Sequence, residues 1–510
     1  MASSEAYLGP QGAASSVPSR SLYPAARDLI LGARARAVLI AIAAAFVLLR
    51  LWAVFTVPFT DTTEARYAEI ARKMVETGNW LTPQFDYGVP FWGKPPLHTW
   101  LSAAGMQLFG VNEAAARLPI LLTALAVLAL VWLWMRDLVG RNSALVATVA
   151  LAITAMFFGA SAFVMTDMPM VLGTTLVMVG FWNAVHGAAN SRTWGYAMVV
   201  GLAIGLLAKG PVATILCGIP VLLWLVLTWN WRLLKRLPWL GGAALLLVLV
   251  VPWYTVAEIA TPGFLRYFLI GEHVQRFLVP GWQGDLYGTG HAQPKGMIWI
   301  WWLIAALPWS VVPLLLLSRV RSTFGAFRGD RAGWRLYLLL WALSPLLLFT
   351  PASNILAAYV LPGLPAAVIL MVVLATDVFG TAPGRLLGVG FVAASLVVLT
   401  LFTALAGMAV FAPAQIRLKS DKGLVAAAET ALPGAPLYTV GRRSFSAEFY
   451  SRGRAKTISA ENFAQMAAGA PAAFSVSPDM APRAEGLGLQ NLGAYGRHVL
   501  FLGPGKSEMN

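Results

Sequence analysis

Five short stretches carry the side chains that could do chemistry. The first reads Asp61-Thr62-Thr63-Glu64-Ala65-Arg66-Tyr67 and runs on through Glu69 to Arg72 and Lys73. Spacings of three and four residues place Glu64, Tyr67 and Ala71 on one helical face, with Arg66 and Ile70 on a neighbouring one. Asp61 stands just ahead, where a carboxylate caps the first free N–H groups. The chemical alternative is that Asp61 or Glu64 accepts a proton from an attacking hydroxyl. The second stretch, Phe91-Trp92-Gly93-Lys94-Pro95-Pro96-Leu97-His98, cannot be a helix interior, so Lys94 sits on a stiff turn. There it is either a lysine snorkelling to the lipid interface or a fixed ammonium for a phosphate. In the third, Asp167 is the only charge between Arg141 and Arg192. It is a helix cap with Pro169 just inside, or a lone acid that needs a partner. Lys209, in Lys209-Gly210-Pro211 between two apolar runs, raises the same question. The fifth, Glu272-His273-Val274-Gln275-Arg276-Phe277, is either a solvated interfacial helix or a group that converges with Lys94 on a phosphate. His273 with scattered carboxylates is a weak divalent-metal set.

The elements that position these residues follow from composition. The chain has 510 residues, 58% hydrophobic and 12% charged, against about 45–50% and 25% in ordinary globular chains. A soluble protein, a disordered chain and a coiled coil are excluded. Cys217 is the single cysteine, which excludes an intramolecular disulfide and a Cys-based zinc site. Apolar runs long enough for a bilayer fall near Ala37–Val57, Leu118–Met135, Ala144–Val164, Met168–Val185, Trp194–Ala208, Val212–Trp229, Trp239–Ala257, Met297–Leu317, Leu336–Thr350, Ile355–Ala375 and Leu386–Phe411. Pro95–Phe109 is apolar but short, and reads as re-entrant or interfacial. The fold class is therefore a polytopic α-helical membrane protein of about eleven spans plus interfacial helices.

The net charge of +15 would suit nucleic acid, but its placement argues for a membrane and against that partner. With the N-terminus in the cytoplasm, 16 of the 26 Lys and Arg before residue 412 fall on the inner side and nine outside, with Arg50 inside the first span. Ten of the 15 Asp and Glu over the same residues fall outside. Chemistry is expected on that outer face. Residues 1–35, rich in Ser, Ala, Pro and Gly, read as a disordered cytoplasmic tail. Residues 36–411 form the membrane domain. Residues 412–510 read as a small α/β domain on the outer side, with strands near Leu437–Val440, Ala455–Ile458, Ala472–Val476 and Val499–Leu502 and helices near Phe445–Ser451 and Ala460–Ala468.

Taken in order, TTEARYAEIARKM, the aromatic-Gly-Lys-Pro-Pro turn, FGVNEAAARLP, the lone Asp167, LLAKGP, EHVQRF and AAYVLPGLPA resemble the bacterial aminoarabinose (lipid A) transferases, relatives of the protein O-mannosyltransferases in the glycosyltransferase C superfamily. The resemblance implies a glycosyltransferase in the bacterial inner membrane, with its site facing the periplasm. It implies a polyprenyl-phosphate-linked sugar as donor and lipid A or a related envelope glycolipid as acceptor, among membrane lipids. It assigns catalysis to Glu64 or Asp61 and to Asp167, and donor-phosphate binding to Lys94 and Arg276. Arg66, Tyr67, Lys209, His273 and Tyr359 are further substrate-binding candidates. Three positions depart from the family pattern: Thr63 where Asp is usual, Gly93 where a Glu thought to ligate metal is often found, and Asn354 near Tyr359 where a basic residue is common. They point to a sugar or acceptor other than aminoarabinose and enterobacterial lipid A. Protein or O-antigen glycosylation from the same donor class is the alternative within this chemistry. A lipid-linked sugar transporter or flippase is the alternative outside it, and predicts mid-membrane charges and internal repeats.

Overall fold

The computed structural model describes residues 26–187, 190–288, 291–382 and 384–503, so most of the expected N-terminal tail lies outside the described residues. All eleven apolar runs become helix. Among the described residues eight helices are long and apolar enough to cross a membrane: Ala33–Thr56, Glu113–Leu138, Asp167–His186, Ser191–Lys209, Pro211–Thr228, Trp239–Ala260, Ala357–Phe379 and Leu387–Phe411. The other three runs are interrupted or short. Met297–Ala305 and Trp309–Leu317 meet at 115° at Pro308, which has no N–H to continue the ladder. Ala144–Val164 becomes Arg141–Ala152 and Ala155–Ala160, and Leu336–Thr350 becomes the 16-residue helix Trp334–Phe349. The expected interfacial segment is the 13-residue helix Leu97–Phe109, which starts where Pro95-Pro96 end.

Helices Asp167–His186 and Ala357–Phe379 are buried over most of their length and form the centre of the bundle. Helix Asp167–His186 packs closely on Ser191–Lys209 because both present glycine: a Cβ on Gly173 would stand 2.7 Å from the Gly201 carbonyl oxygen. Ala33–Thr56, Trp239–Ala260 and Leu387–Phe411 lie outermost and expose Leu48, Leu240, Val248 and Phe411, the surface that hydrocarbon would cover.

The two ends of the bundle are tied separately. At one end the Asp28 carboxylate accepts from the Ser143 amide at 2.8 Å, and Arg335 pairs with Asp377 at 2.8 Å. At the other, the Thr63–Thr77 helix, a hairpin of β1 (Gln84–Asp86) and β2 (Val89–Pro90), the 264–288 loop and the C-terminal region come together. The C-terminal sheet comprises β3 (Leu437–Val440), β4 (Ala455–Ile458), β5 (Ala473–Val476), β6 (Gln490–Tyr495) and β7 (His498–Leu502), in the order β4-β3-β5-β7-β6. β3 pairs in parallel with β4 and β5, and β7 runs antiparallel to β5 and β6. The four expected strands are present. β6 and the helices Lys422–Ala431 and Ala481–Gly486 are additional.

Candidate functional site

Lys94 and Glu272 lie 178 residues apart in the chain, yet the Lys94 ammonium sits 2.8 Å from the Glu272 carboxylate. Two local geometries bring them together. Pro95-Pro96 hold Lys94 outside the helix that follows, and Tyr267–Gln275 forms a π-helical segment. This wider turn aligns residues five apart, so the Tyr267 hydroxyl donates to Glu272 at 3.1 Å and the His273 ring meets the Phe268 carbonyl at 2.7 Å. Arg276, one α-turn beyond, reaches Glu272 at 3.1 Å and Asp285 at 3.2 Å. Burial alone would raise the Glu272 carboxyl. The charges of Lys94 and Arg276 outweigh it and hold that carboxyl below the usual range. Arg276 still has its Nε buried without an acceptor among the described residues, as does Arg66. Asn354 pins the Arg276 loop, donating to the Arg276 and Val279 carbonyls at 2.6 and 2.7 Å.

Tyr359 is half-buried within reach of the charges of Arg276, Lys94, Asp167 and Glu272, and so joins this cluster to a second one. There the Lys209 ammonium lies 2.5 Å from the Asp167 carboxylate and 4.6 Å from the centre of the Tyr359 ring. Each lone charge of the sequence is the other's partner. His273 packs beside Gly210, where an added Cβ would stand 3.2 Å from its ring carbon. Desolvation lowers the His273 pKa. On the first-loop helix, Tyr67 packs edge-on to the His98 ring with centroids 4.6 Å apart, and Arg66 donates to the Tyr287 carbonyl at 2.7 Å. His98 is fully buried, and burial with the nearby Lys94 charge lowers its pKa to about 3. Among the described residues no three His, Cys, Asp or Glu side chains gather as metal ligands. At Gly93, where the family pattern often has Glu, an added Cβ would stand 2.9 Å from the Phe91 ring, so a side chain there requires that ring to shift.

The two first-loop acids stand apart from the cradle. Glu64 is buried and bound by Arg117 through two parallel hydrogen bonds of 2.8 Å. Arg117 also donates to the Val57 carbonyl at 2.5 Å, so the pair ties the end of the first span to the start of the second. Asp61 accepts from the Ser444 and Ser446 hydroxyls at 3.0 and 2.5 Å, which clamps the C-terminal region onto the loop. Burial raises its pKa, and the Ser446 hydrogen bond opposes that rise. Arg117, Asp285 and Tyr267 were not singled out from sequence, and Asn354 was noted only as a departure from the family pattern. Arg117 lies within FGVNEAAARLP, and only a through-space partner gives it meaning.

Residues 37–268 match the model of the dolichyl-phosphate-mannose-protein mannosyltransferase family. An undecaprenyl phosphate-alpha-4-amino-4-deoxy-L-arabinose arabinosyl transferase of Edwardsiella ictaluri is 33% identical over 325 residues, 60% of this chain and 54% of that one. Its counterpart in Pseudomonas savastanoi pv. phaseolicola is 30% identical over 347 residues, 66% of this chain and 61% of that one. The chain thus spans little more than half the length of the curated relatives it matches. The crystal structure of ArnT from Cupriavidus metallidurans bound to undecaprenyl phosphate superposes with a TM-score of 0.75 at 22% identity, over 92% of this chain and 98% of that one. This chain has the ArnT fold. The apo oligosaccharyltransferase of Archaeoglobus fulgidus shares it more distantly, with a TM-score of 0.51 at 12% identity, over 83% of this chain and 64% of that one. The likeness read from the motifs holds, and the chain is a multi-pass membrane protein.

Proposed function

We propose that this chain is a glycosyltransferase of the bacterial inner membrane that moves a sugar from a polyprenyl-phosphate donor to lipid A or a related envelope glycolipid. The observation that carries the reading is the cradle at one end of the bundle. Lys94 and Arg276 converge there on a single carboxylate, and buried N–H groups of Arg276 and Arg66 lack acceptors among the described residues. A phosphate suits such a cluster, since guanidinium and ammonium donors make their strongest hydrogen bonds to it. As the anomeric C–O bond breaks, negative charge grows on the lipid phosphate. Lys94 and Arg276 stabilise it where water is scarce.

The acceptor attacks the anomeric carbon from the opposite face. Asp167, held by Lys209, orients it, and Tyr359 packs between that pair and the phosphate side. Glu64 is engaged by Arg117, and Asp61 by two serines. In this arrangement an acceptor whose nucleophile is already an anion, such as a phosphate oxygen, needs no base from the first loop. The basic inner loops support a periplasmic site. The organisation we propose is a cytoplasmic tail over 1–35, the membrane domain over 36–411 and a periplasmic α/β domain over 412–510.

Transfer to a protein is the second reading, and the match to a protein mannosyltransferase model over 37–268 supports it. Mass spectrometry of lipid A and of periplasmic proteins from a deletion strain decides between them. Loss of a sugar mass from lipid A supports the first reading, and loss from a protein supports the second. If the sugar is lost from neither, envelope transfer is the wrong function.

A further inference from the structure

A cavity of about 240 Å³ has Glu64 in its lining and none of the cradle residues Lys94, Glu272 and Arg276. Its walls come from the ends of three spans: Leu49 and Arg50 of the first, Arg117 of the second, Phe402 of the last, with Phe158 and Glu64 between them. Most of this lining is apolar, yet two guanidinium groups face one carboxylate, leaving one positive charge over. Arg117 is satisfied by Glu64 and by backbone carbonyls. Arg50 is not. Its Nε and Nη2 are buried with no acceptor among the described residues, and its guanidinium carbon rests 4.0 Å from the Phe158 ring centre and 5.7 Å from that of Phe402.

Arg50 lies six residues before the end of its helix at Thr56, about 9 Å along the axis. A snorkelling side chain at that depth would carry its charge out to water. This one is held under aromatic rings instead. An arginine kept unpaired inside the hydrocarbon is costly, and marks a site for a partner that supplies the anion. An anion at that depth, among apolar walls, arrives attached to hydrocarbon.

We propose that this cavity binds a lipid phosphate, with Arg50 holding one phosphate oxygen and the apolar wall holding the adjoining chains, and that this lipid is the acceptor. Two of its wall segments lead along the chain to the candidate site. Glu64 lies within one helical turn of Arg66 and Tyr67. Ala162 and Phe163, which also line the cavity, precede Asp167 in the same segment, whose Val164 amide meets Glu64 at 3.4 Å. The acceptor role rests on the transferase reading, whereas binding of a lipid phosphate does not.

The test uses the full-length chain in detergent, titrated by native mass spectrometry with dioleoyl phosphatidic acid, with uncharged dioleoylglycerol and inorganic phosphate as controls. Wild type should bind phosphatidic acid at least tenfold tighter than either control. Arg50→Leu should lose at least tenfold, and Ala406→Trp, which fills the cavity without touching the charge, should lose as much. Both should bind undecaprenyl phosphate within twofold of wild type, because that ligand belongs to Lys94 and Arg276. Thermal stability of Arg50→Leu should equal or exceed that of wild type, since an unpaired buried charge is removed. In a transfer assay Arg50→Leu should raise the acceptor KM at least tenfold with the donor KM unchanged. Equal phosphatidic acid binding in wild type and both variants would overturn the lipid site. So would binding that disappears on Lys94→Ala instead. Binding lost in Arg50→Leu with an unchanged acceptor KM would overturn the acceptor role. A wild-type chain that transfers no sugar would remove the transferase reading and the acceptor role together, while the binding titration still decides the site.

Discussion

Replacing Asp167 with Asn separates the charge of this residue from its shape. Its carboxylate lies 2.5 Å from the Lys209 ammonium, and both side chains are at most 10% exposed. Removing one partner from a buried pair costs about 3–5 kcal/mol, because the other charge remains in a poor solvent. Lys209 retains the Tyr359 ring face at 4.6 Å, which offsets about 1 kcal/mol. Asp167→Asn should therefore destabilise the protein by about 2–4 kcal/mol, and Lys209→Met by a similar amount. The double variant removes both charges of the pair, so it should recover at least about 2 kcal/mol relative to the sum of the singles. Scanning fluorimetry and denaturant unfolding of the four purified proteins give that coupling. Transfer should behave differently. If the Asp167 carboxylate positions the acceptor, the single and the double variants should both lose two or more orders of magnitude in rate, about 3 kcal/mol. Additive losses of stability would refute the pairing. A double variant that regains transfer with its stability would make Asp167 a structural residue.

Three further outcomes follow. Glu64→Gln and Arg117→Leu should each lower the thermal midpoint clearly, and the second substitution should add little to the first, since both break one bidentate pair; full additivity would contradict it. The hydrogen bond to Asp421 raises the pKa of His498 against the effect of burial, with Asp61 adding to the rise. Its stabilising contribution is therefore complete below the unfolded value of about 6.5 and lost as pH rises through the higher folded value. The gap in thermal midpoint between wild type and His498→Phe should shrink from pH 5.5 to pH 8.5, and a gap that widens would reverse the sign. A single cysteine at the exposed Gln283 in a Cys217→Ala background should react with an impermeant thiol reagent in intact spheroplasts, and one at Gly329 only after lysis; the opposite pattern would place the site in the cytoplasm.

Hydropathy needs only composition along the chain, which is why all eleven apolar runs were legible and their ends fell close to the helix ends. Where a run breaks is set locally, as at Leu307-Pro308, and a run such as Met297–Leu317 shows no drop in hydropathy there. The pairings were not legible. Nothing near Asp167 in sequence points to Lys209, and nothing near Glu64 points to Arg117, because each pair is made by helices packing side by side. For Lys94 the stiff turn before two prolines, and convergence with the Glu272–Arg276 stretch as one of two readings, were legible, but the π-helical segment that turns Glu272 and Arg276 toward it was not. β6 was missed because Gln490-Asn491-Leu492-Gly493-Ala494-Tyr495 is an edge strand with most residues exposed and no apolar alternation. The cap reading of Asp61 does not hold: the helix begins after Thr62 with no side-chain cap, and the Asp61 carboxylate is taken by Ser444 and Ser446, partners that depend on how the C-terminal region docks.

The central claim is that Lys94 and Arg276 form the phosphate site, and equilibrium binding of undecaprenyl phosphate to the purified chain tests it most directly. A hydrogen bond to a charged group contributes about 1.5–3 kcal/mol, so Lys94→Ala and Arg276→Ala should each weaken binding by about 10–100-fold. Undecaprenol, which lacks the phosphate, should bind wild type and both variants alike. A Lys94→Ala/Arg276→Ala protein that is folded and binds undecaprenyl phosphate within twofold of wild type would contradict the account.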